Sequence, residues 1–373
     1  MQTTQFHQAW SERNEYWLTK PDKRRGRRAV RERTKEPLIL CGHGVSMRIE
    51  RGTLLIKNGF THHPQEQDTF RFFRGDLTLP PKIIMLDGSG SLSFDVISWL
   101  AEQNVSLTRI GWQGDVVSII GGSGAAYDSE RVRWQMETRA DHQRRLDFCC
   151  ALIAEKIANS VVTLKTSLPD TPQRTIAIGR AEVAIDQLER RAVRSVTDIL
   201  MIEAGAAAAY FTAWRGLPLN WRSRARFPIP DAWLFAGPRR AVRESQFATN
   251  RRASHPVNAM LNYGYAILHS QVQIEAVSQG YDPRFGVMHE SRPDAQALIL
   301  DLMEPARPTV DAAVLKFITT QTLSGADFVI RDDGVCRLAP QIARRICGLV
   351  VGTLTSNRRP GSTRGNHRIA PPA

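Results

Sequence analysis

The feature that most limits how this 373-residue chain can fold is a change of hydrophobic rhythm near Tyr127. Before it, apolar residues come in short runs punctuated by glycine, asparagine and aspartate, which is strand texture. Residues 47–49 and 53–56 read as two strands around an Arg51-Gly52 turn, with a second turn at Asn58-Gly59. Residues 69–74, 82–86, 105–110 and 116–120 read as further strands, and 94–103 as one helix ending at Asn104. The glycines at 87–90 and 121–124 read as turns. Neither stretch has the Lys-Ser/Thr pair of a phosphate loop or a full dinucleotide fingerprint. After Tyr127, apolar residues recur at helical spacing over 130–165 and 178–213. Later helices are expected from His255-Pro256, over 298–304 with a stop near Pro305 and Pro308, over 310–320, and from Pro340 to about 352. The stretch 218–252 reads as loop with short helical turns. The expected fold class is α+β, a β-rich N-terminal domain over 37–128 followed by an all-α domain over 129–352. A basic extension over 1–36 and a loose tail over 353–373 flank them.

Charge narrows the partners. Lys and Arg number 50 against 37 Asp and Glu, a net charge of +13, and such a field attracts polyanions such as nucleic acid or an anionic membrane. Lys23, Arg24 and Arg25 begin a dense cationic block in the extension, which is either a solvated segment or an arm that touches phosphates. Arg251 and Arg252 form a second basic candidate for DNA contact. No apolar run is long enough to cross a membrane and no signal-peptide core is seen, so a cytoplasmic protein is expected. The five cysteines show no metal-ligand spacing; Cys149 and Cys150 read as packing residues, and the odd count fits a reducing compartment.

Two places carry acidic residues in apolar settings. Glu203 sits mid-helix among small and apolar residues, where an unpaired charge is costly. It needs either an ion pair, with Arg190, Arg191 or Arg194 nearby in sequence, or a metal. His289 precedes Asp301 and Glu304, which are three apart and share a helix face. Imidazole and carboxylates together suit magnesium or manganese, but spacing alone fits an unrelated loop histidine and a solvated acidic edge better. Asn258 and Tyr265 read individually as polar packing groups.

Four stretches, in their order and separation, resemble the CRISPR-associated adaptation integrase, the first-numbered Cas protein. They are Arg51-Gly52-Thr53-Leu54-Leu55-Ile56, Ile202-Glu203 with Tyr210-Phe211, the segment from Pro256 to Leu268, and the segment from Gly280 through His289 to Pro308. The resemblance covers residues 37–350 and implies an all-helical catalytic domain. It implies an enzyme that joins the 3′-hydroxyl ends of a short double-stranded DNA to a CRISPR repeat, a homodimer, and a smaller CRISPR-associated partner protein. It further implies a divalent metal, magnesium or manganese, held by Glu203, His289 and Glu304. Asp301 falls on a neighbouring acidic position, Arg307 on a basic position that can hold the DNA backbone, and Asn258 and Tyr265 on supporting polar positions. Two departures stand out. Ala204 replaces the usual glycine after the first glutamate, which is expected to shift local helix packing, and Ala306 stands where an aromatic is common. A metal-dependent nuclease of branched or foreign DNA, a mobile-element integrase and a non-catalytic DNA scaffold are the alternatives.

Overall fold

The structure, a computed structural model, describes residues 34, 37–60, 67–111, 116–121, 128–191, 193–237, 253–290, 295–330 and 334–356. The expected contacts at Lys23, Arg24, Arg25, Arg251 and Arg252 lie outside these residues, as does the expected loose tail of 353–373 beyond 356; its first four residues instead belong to the last helix.

Six strands form one mixed sheet: β1 (Leu38–Glu50), β2 (Thr53–Lys57), β3 (Thr69–Phe72), β4 (Lys82–Leu92), β5 (Ser106–Ile110) and β6 (Val116–Ile120). Their spatial order is β3-β2-β1-β4-β5-β6. Arg51 and Gly52 both take positive φ, 49° and 77°, the turn geometry that matches the twist of a tight hairpin. The expected turn at 87–90 is not there. Strand β4 runs on to Leu92, parallel to β1, with register breaks at Cys41/Gly42 and His43/Val45. Its glycines serve a close backbone approach instead. A Cβ on Gly88 would stand 2.0 Å from the Gly42 carbonyl oxygen, and one on Gly90 2.1 Å from that of Val45. Glycine in a strand marks such an approach as readily as it marks a turn.

The central strands are buried on both faces, which explains the apolar run at the start of β4. Leu40, Leu54 and Ile83 pack with Val96, Trp99 and Leu100 of α1 (Phe94–Glu102). The neighbouring residues Cys41 and Ile84 point the other way, into the large core shared with the helices.

The second region is mostly helical: α2 (Ser129–Ala140), α3 (His142–Ser167), α4 (Pro172–Glu189), α5 (Val196–Thr212), α6 (Pro256–Ser278), α7 (Ala297–Met303), α8 (Arg307–Thr320) and α9 (Pro340–Ser356). The caps are local. Asp128 and Asp141 start α2 and α3, and Ser195 with Asp198 forms a capping box on α5. Two short ladders interrupt the expected all-α pattern: β7 (Asn220–Arg222) pairs with β8 (Thr322–Ser324), and β9 (Phe328–Ile330) with β10 (Cys336–Leu338). Three-residue strands are too short to leave an alternation signal.

The chain does not stop at Pro305. A 3-10 turn, Glu304–Ala306, carries it straight into α8, where Pro308 sits in the first turn. The missing proline N–H is harmless at that point. Nor does Ala204 disturb α5, which runs through Ala204 and Gly205 without a break, and a Cβ at Gly205 would meet nothing within 4 Å. No helix among the described residues is long and apolar enough to cross a membrane.

Candidate active site

Helix α3 presents Lys156, Asn159 and Thr163 at spacings of three and four, so they share one face. Each meets a residue of the 304–308 segment. Asn159 donates to the Pro305 carbonyl at 2.9 Å, and Thr163 to the Pro308 carbonyl at 3.0 Å. Lys156 reaches further: its Nζ lies 2.6 Å from Glu203 Oε1 on α5 and 2.6 Å from Glu304 Oε2. One ammonium thus bridges two carboxylates that are far apart in sequence. Two of the three expected alternative partners are engaged elsewhere, Arg190 with Asp186 and Arg191 with Asp147.

The two carboxylates differ in surroundings. Glu304 has 7% of its side chain exposed and Glu203 has 19%. Burial alone would push the Glu304 carboxyl up, but Arg307 and Lys156 outweigh it and hold it below the usual carboxylate value. Arg307 Nε lies 3.0 Å from Glu304 Oε1, and its guanidinium stacks over Tyr265 at 5.0 Å from the ring centre. Tyr265 in turn donates to Asp311 Oδ1 at 2.6 Å, and Tyr210 to Asp311 Oδ2 at 3.0 Å. Arg307 therefore faces inward and braces Glu304. A cavity of about 90 Å³ opens beside this cluster, with Lys156, Glu203 and Arg307 at its polar end and Ile157 and Leu164 on its apolar wall.

His289 is held by a different device. Asp301 is fully buried and accepts from the backbone N–H groups of Val287 at 2.7 Å, Met288 at 3.0 Å and His289 at 2.9 Å. It also meets His289 Nδ1 at 2.6 Å. Arg139 donates to the carbonyls of Gly286 and His289, and Arg145 to that of Val287. Gly286 has no room for a side chain, since a Cβ there would stand 2.6 Å from that of Ala297. The carboxylate at Nδ1 leaves Nε2 as the nitrogen for a ligand, an arrangement common around metal-binding histidines.

The family model for CRISPR associated protein Cas1 matches residues 38–350, most of the chain. The chain belongs to the Cas1 family. It is 22% identical over 330 residues to CRISPR-associated endonuclease Cas1 1 of Methanospirillum hungatei, covering 84% of this chain and 86% of that one. It is 30% identical over 268 residues to a Cas4/Cas1 exonuclease–endonuclease fusion of Rhodospirillum rubrum, covering 70% of this chain and 42% of the fusion. Among solved structures, a casposase bound to its integration product is similar at a TM-score of 0.68 and 25% identity, covering 86% of this chain and 82% of that one. A Cas1 protein from Thermotoga maritima shares the fold at a TM-score of 0.60 and 15% identity, covering 85% and 90%.

Within this Cas1 fold, the residues present suit a small divalent metal. Glu304 Oε2 is buried and makes no hydrogen bond of good geometry; what it has is the ion-pair contact with Lys156. Two carboxylate oxygens already share one cation, and His289 Nε2 is the third candidate ligand. Among the described residues, no three His, Cys, Asp or Glu side chains are already gathered around one point as a metal cage. Asp301 is committed to the histidine loop. Asn258 is buried in the first turn of α6, and Tyr265 braces Arg307. Sequence reasoning missed Lys156, Asn159 and Thr163. Their spacing on one helix face was a signal, but polar residues at that spacing describe a solvated face just as well.

Proposed function

We propose that this Cas1-family protein is a metal-dependent DNA integrase that inserts a short captured DNA into a CRISPR array. The observation that carries the reading is the sharing of one cation by Glu203 and Glu304, carboxylates of two separate elements. Glu203, Glu304 and His289 would hold magnesium or manganese. When bound, that ion would supply charge neutralisation on the phosphoryl oxygens and polarise the attacking hydroxyl. Asp301 fixes the His289 ring through Nδ1, and Arg307 holds the Glu304 carboxylate in place. In the reaction, a donor 3′-oxygen forms a bond to a target phosphorus while that phosphorus loses its bond to the target's own 3′-oxygen. The attacking hydroxyl gives up a proton and the leaving oxygen gains one.

The reading includes a homodimer and a smaller CRISPR-associated partner. A solved Cas6-RT-Cas1–Cas2 complex contains a chain of this fold, with a TM-score of 0.62 at 16% identity. A second reading, an integrase of a mobile element, is favoured by the likeness to the casposase bound to an integration product. Both share the strand-transfer chemistry and differ in target.

The test is an integration assay with a labelled short duplex, supercoiled plasmids with and without a CRISPR repeat, divalent metal and the candidate partner. Products longer than the input, concentrated at the repeat, support the array reading. Longer products without repeat preference support the mobile-element reading. Shortened products alone identify a nuclease and overturn both. Full activity in Glu203→Gln and Glu304→Gln removes the assigned site.

A further inference from the structure

Among the described residues, Lys156 is the cation that touches both carboxylates of the site. Its contacts there are unequal. Toward Glu203 Oε1 it makes a hydrogen bond of 2.6 Å. Toward Glu304 Oε2 it stands at the same distance, yet that oxygen has no hydrogen bond of good geometry. Glu304 keeps a second cation, Arg307, on its other oxygen. The lysine side chain is 19% exposed, and it borders the cavity beside the site. A flexible four-carbon stem at the rim of a cavity can swing its charge aside. Arg307 stands on the far oxygen of Glu304 with its guanidinium over the Tyr265 ring, away from the position between the two carboxylates.

We infer that Lys156 and the catalytic metal compete for a single cation position between Glu203 and Glu304, so that Lys156 sets the metal affinity of the site. The inference rests on the metal reading above. An ammonium nitrogen sits 2.6 Å from each oxygen, whereas a small divalent ion needs oxygens at about 2.1 Å; the two cannot be there together. Metal entry requires the ammonium to leave, and the ion pair's free energy is subtracted from metal binding by mass action. Without metal, Lys156 relieves the repulsion between one buried and one partly buried anion. Lys156 is thus a positioning residue that keeps the carboxylates converged and yields to the metal.

A merely structural lysine and a competing one predict opposite signs. If Lys156 only scaffolds the site, its loss loosens the carboxylates and weakens metal binding. If it competes, its loss tightens binding. Manganese binding would be measured by electron paramagnetic resonance for wild type, Lys156→Met, Lys156→Gln and Glu203→Gln. The expected result is binding on the order of tenfold tighter in Lys156→Met and Lys156→Gln, as removal of a competing unit charge implies, with binding lost in Glu203→Gln. Equal or weaker binding in both lysine variants, beside clear binding by wild type, overturns this inference and leaves the metal reading standing. No site-specific binding in any of the four overturns both. A second measurement needs no variant: acetic anhydride labelling of Lys156 in the wild-type protein, read by mass spectrometry. Manganese should raise the labelling of Lys156 at least about threefold by freeing the ammonium. Labelling that is unchanged or reduced overturns the inference even if the variants fail to fold.

Discussion

Asp301 and Glu304 lie three residues apart at the end of α7 and belong to two very different regions. The Asp301 region is saturated: one fully buried carboxylate serves three backbone N–H groups and an imidazole nitrogen. The Glu304 region is not. Its carboxylate is offset by two side-chain cations, and one oxygen lacks a good hydrogen bond. A carboxylate wrapped in backbone donors has nothing left to bind and acts as a fixed post. One balanced by a movable ammonium keeps a place for another cation. Helical spacing put both acids on one face, and the donors around them assigned them different work.

The largest effect that would break this contrast is on catalysis. Glu203→Gln or Glu304→Gln should lower strand transfer by about 10²–10³-fold or more, the scale for losing a group that stabilises transition-state charge, far beyond what any loss of folded protein explains. An integration assay beside urea unfolding checks it. A large stability loss with activity retained would place Glu304 in the same class as Asp301.

Next comes Asp301→Ala. It leaves three backbone donors without their acceptor, and unfolding in urea should show a loss of about 3 kcal/mol. If the variant is as stable as wild type but no longer binds manganese, Asp301 is a ligand rather than a post.

Gly286→Ala sharpens the same contrast from the loop side. Its Cβ would press on Ala297 and on the His289 carbonyl oxygen, 2.8 Å away. A loss of about 2 kcal/mol is expected from such overpacking. Activity should fall further than the stability loss explains, because His289 rides on that loop. An unchanged melting temperature would show that the loop yields more easily than its hydrogen bonds suggest.

The smallest effect is on acid stability. The Glu304 carboxyl lies below its ordinary value of 4.5 in the folded protein. Its contribution to stability is therefore fully present above that value and is lost as pH falls through the folded one. Wild type should lose stability more steeply than Glu304→Gln below about pH 4.5, the unfolded value. Parallel acid titrations of the two proteins would show that Lys156 and Arg307 do not hold the carboxylate in its charged form.

Much of this architecture was legible in residue patterns, for reasons that can be named. Hydrophobic rhythm separates the sheet from the helices because a strand repeats every two residues and a helix every 3.6. Where that rule misled, a local residue had two physical uses. Gly88 and Gly90 permit a tight strand approach as readily as a turn, and Pro308 starts a helix as readily as it ends one. Glu203, with its charge in an apolar helix, announced that it needed a cation, but not which one.

By itself the sequence determined the two-part α+β order, the basic net charge and, through its likeness to the Cas1 family, which acids and histidine to watch. These depend on local periodicity, composition and short motifs, which survive in one dimension. Only the tertiary structure decided that Lys156 bridges Glu203 and Glu304, that Asp301 secures the histidine loop, and that Arg307 turns inward onto Tyr265. Each of those outcomes depends on which donor stands within about 3 Å of which oxygen, a distance set by helices packing from distant parts of the chain.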